Sequence, residues 1–212
     1  MGRTSDADQR LMDAALGLMW EESYGSVTID DICKRADVKK GSFYYFFKSK
    51  SELAVAALKK LWNEQWKPTL DTCFSPSTEP LERLQNYFDT IYARQVEIKA
   101  LHGRILGCPV CSVGSEISTL ESEVCATIRD IVGRKQLYYQ SAIRDAVAQG
   151  AIEPCDPVEM SLAVTGLLEG MVSQARIMND PELLRKLPAM ALGLLKVKPR
   201  AKAASENTPV FA

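Results

Sequence analysis

The chain has 212 residues, of which 46% are apolar and 25% are charged, and its formal net charge is −1. This balance is typical of a globular protein and excludes a chain that is disordered, collagen-like or rod-like over its whole length. The longest stretch without Asp, Glu, Lys or Arg has 11 residues (105–115), whereas a membrane-spanning helix needs about 20 apolar residues. The polar segment 1–10 contains no apolar leader, so we expect a cytoplasmic protein without a membrane partner.

Helical periodicity dominates the chain and predicts an all-α fold of about nine helices, with three short ones first. The expected helices, in chain order, are 6–22, 28–36, 40–47, 50–66, 80–99, 115–149, 157–178 and 181–195. None of the ten prolines precedes Pro68, and the Pro/Ser-rich patch that begins there predicts a loop between two modules. A glycine-rich segment over 103–114 is predicted to be irregular.

This pattern divides the chain into three parts. We expect a helix-turn-helix domain over 1–50, an effector-binding and dimerisation domain over 51–196, and a flexible tail over 197–212.

The numbers of histidines and cysteines limit which kinds of enzyme or metal site we expect. His102 is the only histidine, and six cysteines are too few for a disulfide scaffold. The sequence also lacks a Gly-rich phosphate loop and a nucleophile–base motif. We therefore expect no enzyme activity, no cofactor and no metal; an enzyme that uses the C-terminal cavity is the less favoured alternative.

The segment 28–50 carries the clearest functional signal. Two short helices joined by a tight turn at Asp37 are typical of a helix-turn-helix, whose second helix enters the major groove of DNA. Between residues 33 and 60 there are eight basic and two acidic residues, an excess that favours contact with phosphates. Thr28, followed by Asp31, fits a capping box at the start of a helix. The alternative is that the aromatic run 43–47 is core and the lysines form a solvated face.

The residues of this segment and their spacing form a pattern specific enough to compare with known families: Thr28-(x)3-Ile32-Cys33-(x)2-Ala36-Asp37-Val38-Lys39-Lys40-Gly41-Ser42-Phe43-Tyr44-Tyr45-Phe46-Phe47-(x)2-Lys50-(x)2-Leu53. It resembles the DNA-binding segment of the TetR family of bacterial transcriptional repressors, over about residues 6–56. The resemblance implies a homodimer that binds a palindromic operator and is released by a small-molecule effector; activation instead of repression stays open.

The resemblance also implies which residues contact DNA. Lys39 is added because its side chain, at the start of the second helix, can donate a hydrogen bond to a phosphate or a base. The expected contacts are Thr28, Lys39, Lys40, Gly41, Ser42, Tyr44, Tyr45 and Lys50. The chain departs from the family pattern at Lys39, where a small capping residue is common, and at Phe46, where histidine is usual.

A second segment, Gly107-Cys108-Pro109-Val110-Cys111-Ser112-Val113-Gly114-Ser115-Glu116, is similar to a Gly-Cys segment that borders the ligand cavity in one subset of these repressors. We predict a pocket for an apolar or aromatic effector, lined by Trp62, Trp66, Phe88, Tyr92, Cys108, Cys111 and Met171. The cysteine pair leaves two alternatives to pocket lining, which are a thiol-based redox sensor and a metal site. A structural zinc site usually has four ligands, and the sequence shows no second C-x-x-C pair and no nearby histidine beyond His102.

The C-terminal helices indicate a dimer interface, because apolar residues over 160–178 occur on nearly every helix face. The expected interface residues are Ala163, Gly166, Gly170, Leu183, Leu187, Met190 and Leu194. A kink is predicted at Pro188. A purely intramolecular core is the alternative.

Overall fold

The computed structural model describes residues 6–117 and 121–198. The helices in these residues are α1 (Ala7–Glu21), α2 (Ile29–Ala36), α3 (Lys40–Phe46), α4 (Lys50–Leu61), α5 (Lys67–Cys73), α6 (Pro80–His102), α7 (Pro109–Ile117), α8 (Ser122–Ala148), α9 (Pro157–Met178) and α10 (Leu187–Leu194). A π-helical turn (Trp62–Trp66) joins α4 to α5, and a 3-10 helix (Pro181–Lys186) leads directly into α10. Counted as continuous rods, the described helices number nine, and the predicted all-α fold is confirmed.

The first three helices form a small module around a shared apolar centre. Leu11 of α1, Ile32 of α2 and Phe43 of α3 are all completely buried. The turn between α2 and α3 passes through Asp37, whose φ of 51° lies in the left-handed region, as the predicted tight turn requires. The Arg10 guanidinium donates to the Asp37 carbonyl oxygen at 3.3 Å and so fixes this turn against α1.

The fourth helical rod is longer than predicted. It passes Trp66 and ends at Cys73, so Pro68 lies inside a helix and the loop is confined to residues 74–79. A proline within a helix clashes with the carbonyl four residues earlier, here that of Glu64. The π turn directly before Pro68 widens the helix, which allows the rod to continue.

The segment that we predicted to be irregular contains α7, which begins at Pro109 and includes Gly114. A proline fits the first turn because its missing N–H has no helical partner there. Gly114 permits close packing against α8, since a Cβ at this position would lie 3.2 Å from Ile128 Cγ2. The long helix predicted to start at Ser115 starts at Ser122 instead.

The last two predicted helices lie at the expected positions, but the second of them is only partly an α-helix. The Asp156 side chain accepts a hydrogen bond from the Val158 backbone N–H at 2.8 Å and caps α9. The last predicted helix is a 3-10 helix followed by α10, with Pro188 in the first turn of α10, where a proline is tolerated. Within the described residues, no helix has both the length and the apolar character that a membrane span requires.

The division into domains remains a prediction, and two observations bear on its boundaries. Helix α4 packs against both α1 and α8, so it belongs to both halves of the molecule. At the other end, Val197 forms an antiparallel bridge with Ile152, and the Lys198 N–H donates to the Ala151 carbonyl at 3.0 Å. The predicted tail therefore begins with two paired residues, and its remainder (199–212) lies outside the described residues.

Candidate DNA-binding surface and effector cleft

Helix α3 exposes the side chains that we predict to contact DNA. Tyr44 and Tyr45 are 52% and 83% exposed, whereas Phe43 beneath them is fully buried. Gly41 shares a helix face with the two tyrosines, and a Cβ built there would meet nothing within 4 Å. Ser42 is exposed as well. The outer face of α3 is thus free to approach a flat surface closely.

The start of α2 has the predicted capping box. Thr28 Oγ1 accepts from the Asp31 N–H at 3.2 Å, and the Asp31 carboxylate accepts from the Thr28 N–H at 2.9 Å. The Thr28 hydroxyl also donates to the Asp31 carboxylate, and this hydrogen bond, together with the one from the Thr28 N–H, lowers the pKa of Asp31. Thr28 remains exposed, beside a helix N-terminus whose free N–H groups favour an anion. A phosphate contact at Thr28 stays a prediction.

The two lysines at the start of α3 have different surroundings. Lys40 Nζ lies 2.8 Å from a carboxylate oxygen of Asp30, and the hydrogen bond between them raises the pKa of Lys40. Lys39 makes no ion pair with any residue of 6–117 or 121–198. Together with Arg10 and Tyr45, Lys39 lines a shallow depression of about 450 Å³. Lys39 is therefore the freer cation, while Lys40 must exchange Asp30 for a phosphate or a base.

Lys50 is held inside the module. Its ammonium donates to the carbonyl oxygens of Tyr24 at 2.8 Å and Val27 at 2.9 Å, and it lies 4.3 Å from the centre of the Tyr24 ring. Partial burial lowers the pKa of Lys50. Two of its three donors hold the turn before α2, so one donor is left for the phosphate contact that remains predicted.

A cleft of about 510 Å³ lies between the end of α1, helix α7 and helix α9. Its wall contains both predicted cysteines, Cys108 and Cys111, together with the charged side chains of Glu116, Glu169 and Arg176. The sequence predicted a pocket for an apolar or aromatic effector, and the lining of this cleft also contains charged side chains. With Glu22 at the end of α1, four charged residues line this cleft.

Next to this cleft, the interior holds a buried ion pair. Lys135 is only 2% exposed, and its Nζ lies 2.6 Å from Glu169 Oε1. Although burial opposes the charge on Lys135, the neighbouring Tyr139 and Tyr87 and the facing Glu169 carboxylate raise its pKa. Burial would likewise raise the pKa of Glu169, but the ammonium and its hydrogen bond hold that pKa below its usual value. Both groups are charged near neutral pH, in a place where an unpaired charge would be costly.

The two cysteines meet at the start of α7. The Cys111 N–H donates to Cys108 Sγ at 3.4 Å, and both sulfur atoms lie within 4.8 Å of a carboxylate oxygen of Glu169. The hydrogen bond with Cys108, burial and the Glu169 carboxylate all raise the pKa of Cys111. Cys111 is accordingly a protonated thiol at neutral pH and a weak nucleophile.

The predicted pocket residues do not all lie together. Trp66 and Cys108 line a small cavity of about 40 Å³ that shares Glu169 with the cleft. Phe88 is 1% exposed and belongs to the core, because its helix turns that side inward. Tyr92 lies at the surface, where its hydroxyl donates to Glu182 Oε1 at 2.7 Å.

The remaining two predicted pocket residues also require correction. Trp62 lines a separate depression near α5 and α8, on another side of the chain. Met171 is half-buried against the core and contributes to neither cavity. Aromatic and sulfur-containing residues in amphipathic helices are frequent core residues, and composition alone could not separate them from pocket residues.

Sequence reasoning missed the buried pair, although the sequence contains signals for both members. Glu169 is the only charged residue between Glu159 and Arg176, in an otherwise apolar or neutral helix. Lys135 occupies the apolar stripe of α8, four residues from both Ile131 and Tyr139. A charge on a buried helix face needs a partner, and this rule predicts that the two side chains meet.

Glu116 connects the cleft to the turn before α2 in the DNA-binding module. Its carboxylate accepts from the backbone N–H groups of Tyr24 at 2.8 Å and Gly25 at 2.7 Å, in the turn before α2. The Trp20 indole donates to the Gly107 carbonyl oxygen at 3.1 Å, next to the cysteine segment. Helix α7 is therefore both a wall of the cleft and a support for the helix-turn-helix.

The predicted dimer residues on α9 form an exposed strip, whereas those that follow α9 vary in exposure. Ala163, Gly166 and Gly170 are exposed on α9, and a Cβ at either glycine would meet nothing within 4 Å. Met190 and Leu194 on α10 are 45% and 38% exposed, and Leu183 is half-buried. Leu187 is completely buried within the chain, which removes it from the predicted interface.

Comparison with known proteins agrees with this architecture. The family model "Bacterial regulatory proteins, tetR family" matches residues 11–57, and the model "Tetracyclin repressor-like, C-terminal domain" matches residues 80–190. The transcriptional regulator AcuR of Cereibacter sphaeroides is 30% identical over 181 residues, which cover 84% of this chain and 80% of AcuR. The repressor DhaR of Mycobacterium sp. strain GP1 is 28% identical over 144 residues, or 68% of this chain and 69% of DhaR.

Solved structures show the same fold. The regulatory protein TetR from Rhodobacter sphaeroides superposes with a TM-score of 0.78 at 29% identity, covering 88% of this chain and 97% of that one. The reduced form of Escherichia coli NemR has a TM-score of 0.78 at 21% identity and covers 93% and 100% of the two chains. With its N-terminal helix-turn-helix and its matching C-terminal domain, the chain belongs to the TetR family of bacterial transcriptional regulators.

Proposed function

We propose that this regulator is a cytoplasmic repressor, which binds a palindromic operator as a homodimer and leaves it when a small molecule occupies the cleft beside α7. The exposed face of α3 supports the DNA contact, because Tyr44, Tyr45 and Lys39 present donors that have no hydrogen-bond partner within residues 6–117 and 121–198. The names of relatives such as the repressor DhaR support repression rather than activation.

The position of Glu116 carries the regulatory part of the proposal. A ligand that displaces α7 also moves Glu116, which holds the backbone of Tyr24 and Gly25 at 2.8 and 2.7 Å. The same turn is held from the other side by Lys50. Because a ligand shifts an equilibrium only by its differential affinity for two states, an effector must prefer the α7 position that misplaces α2 and α3.

The charges of the cleft indicate what kind of effector it accepts. Glu169 and Arg176 lie in the same wall as the apolar side chains of Met19 and Val172. We therefore propose a small molecule that carries a polar or charged group on an apolar body. This replaces the apolar or aromatic effector expected from the sequence.

Selection of binding sites from a random pool of double-stranded DNA tests the operator part. We expect enrichment of an inverted repeat whose half-site centres lie about 34–36 Å apart or a multiple of it, as two recognition helices in successive major grooves require. Enrichment of a single unrepeated site would contradict binding as a dimer. No enrichment over non-specific DNA would contradict the operator proposal altogether.

The coupling part is tested with Glu116→Ala on the selected operator. Loss of two charge-assisted hydrogen bonds frees the turn before α2, so we expect faster amide exchange at Tyr24 and Gly25. We also expect an operator affinity lower by about tenfold, equivalent to about 1.4 kcal/mol. Glu97→Ala, on the exposed side of α6, is the matched control and should change neither quantity. Equal exchange rates in the two variants would rule out Glu116 as the link.

A further inference from the structure

Among the described residues, one group of three metal-ligand side chains converges, and it lies in the wall of the cleft. Cys108, Cys111 and Glu169 each offer one ligand atom, and these atoms lie within 4.8 Å of one another. The first two come from the beginning of α7 and the third from the middle of α9. The sequence predicted no metal because it showed only the cysteine pair; the fold adds the carboxylate.

We propose that Cys108, Cys111 and Glu169 bind a thiophilic divalent cation of the zinc class. Zinc is bound by thiolates at about 2.3 Å and by carboxylate oxygens at about 2.0–2.2 Å, usually with tetrahedral geometry. Ligand atoms of such a site are about 3.5–3.8 Å apart, so atoms now within 4.8 Å need to move by only about 1 Å. Three protein ligands leave the fourth position open to water or to another small molecule.

The spacing of the two cysteines suits such a site. Cys108 immediately precedes α7 and Cys111 lies in its first turn, so the sulfur atoms three residues apart point to the same side. The contact between the Cys111 N–H and Cys108 Sγ already stabilises one sulfur as an acceptor.

Charge balance is compatible with the site that the three converging ligand atoms define. Without metal, the buried Lys135–Glu169 pair has no net charge, with its atoms 2.6 Å apart. When a divalent cation binds, two thiol protons leave to solvent and two thiolates form. The two positive charges that enter replace the two that leave, so the buried Lys135–Glu169 pair is conserved and no uncompensated charge is created.

Lys135 need not be displaced. Its Nζ contacts Oε1 of Glu169, and a carboxylate has a second oxygen that can bind the cation. Lys135 is then a partner that orients a ligand and fixes its charge, a role that hydrogen-bonded neighbours have in many metal sites.

A buried acceptor nearby supplies an independent observation. Gln95 is 4% exposed, its Oε1 has no hydrogen-bond partner within the described residues, and its Nε2 donates to the Gly107 carbonyl at 3.2 Å. Gln95 lines the small cavity of about 40 Å³ together with Cys108 and Glu169. A cavity of this size can hold a water, and a metal-bound water is a strong donor for an unpartnered amide oxygen.

Titration of the reduced, metal-free protein with Co²⁺ tests the site without DNA. Co²⁺ replaces zinc in such sites, and its bonds to thiolates give a charge-transfer absorption. We expect saturation at one Co²⁺ per chain, displacement by Zn²⁺, and loss of the absorption in Cys108→Ser and in Cys111→Ser. Glu169→Gln should weaken binding by about tenfold or more. Because this variant also leaves Lys135 without its carboxylate, circular dichroism must first show a folded protein.

Cys155→Ser is the matched control, since Cys155 is also a half-buried free cysteine but lies outside the cluster. It should bind Co²⁺ as the wild type does. An absent charge-transfer band, or one that persists in both single variants at Cys108 and Cys111, would overturn the proposal. The site goes beyond the proposed function: failure of the cobalt titration leaves operator binding untouched, and failure to find an operator leaves the metal site untouched.

Discussion

Two lysine–carboxylate pairs of similar length lie in opposite surroundings. In the DNA-binding module, Lys40 and Asp30 are 2.8 Å apart with more than half of each side chain exposed. In the effector domain, Lys135 and Glu169 are 2.6 Å apart, and their side chains are only 3% and 21% exposed. The first pair is weak because water screens it and can release Lys40 to DNA, whereas the second is costly to separate.

The two regions of the molecule differ in where they place their charged side chains. Apart from Lys50, the charges of the DNA-binding module discussed above are exposed, and local contacts such as the capping box of Thr28 and Asp31 hold its helices. The effector domain brings together charges that are far apart in the chain and keeps them inside, where a ligand can reach Glu169 from the cleft. In the proposed function, a ligand would bind where electrostatic interactions are strong, and Glu116 would transmit its effect to the module where they are weak.

Lys135→Met is the substitution with the largest expected effect on this comparison. It keeps the apolar stem but leaves the Glu169 carboxylate unpaired, so we expect the free energy of unfolding to fall by about 3 kcal/mol. For a chain of this size that lowers the melting temperature by about 6–12 °C. Thermal unfolding at one fixed protein concentration measures it, because dimerisation makes the midpoint depend on concentration.

Lys40→Met is the control from the other region. The pair with Asp30 is fully hydrated, so we expect an unchanged melting temperature together with weaker operator binding. If the two variants lost the same stability, the Lys135–Glu169 pair would be as hydrated as the surface pair, and the contrast would fail.

On α9, we propose that the exposed strip is the dimer interface. Gly170→Glu should raise the dimer dissociation constant by about 100-fold, equivalent to about 2.7 kcal/mol, because it buries an unpaired charge between helices. The single chain has room for the new side chain, since a Cβ at Gly170 meets nothing within 4 Å. Sedimentation at low micromolar concentration measures the change.

Gly133→Glu is the matched variant for this experiment. Gly133 on α8 is equally exposed and has equally free space around its Cα, but it lies outside the proposed interface. It should remain dimeric. A dimeric Gly170→Glu, or a monomeric Gly133→Glu, would place the interface on another surface.

Substitutions on the DNA-binding surface should have a smaller effect, on operator affinity. Lys39→Ala should weaken binding to all sequences and reduce the slope of log affinity against log salt by about one unit, because one phosphate contact and its released counterion are lost. Tyr44→Phe removes a hydroxyl from the exposed face of α3 and should instead change the preferred bases. An unchanged salt slope in Lys39→Ala would remove Lys39 from the contacts.

The difference between the two regions also explains what the sequence could predict. Capping at Thr28 and the turn at Asp37 depend on residues within three or four positions, so pattern and spacing predict them well. The partner of Lys135 lies 34 residues away and depends on how α8 packs against α9. Periodicity identifies the buried face of each helix but not which faces meet, and for this reason Glu169 was missed and Phe88 was wrongly assigned to the pocket.

If the chain is not a thiol-based redox sensor, mild oxidation of Cys108 and Cys111 should leave operator binding unchanged. A sensor cysteine needs a stabilised thiolate, whereas the hydrogen bond with Cys108, burial and the Glu169 carboxylate raise the pKa of Cys111. We therefore expect metal-free wild-type protein to bind its operator equally well before and after mild peroxide treatment, in a fluorescence anisotropy titration. The Cys108→Ser/Cys111→Ser double variant is the control and should bind as the wild type does. If peroxide releases the wild type and spares the double variant, the buried cysteines react despite the raised pKa, and redox sensing replaces effector binding as the function of the cleft.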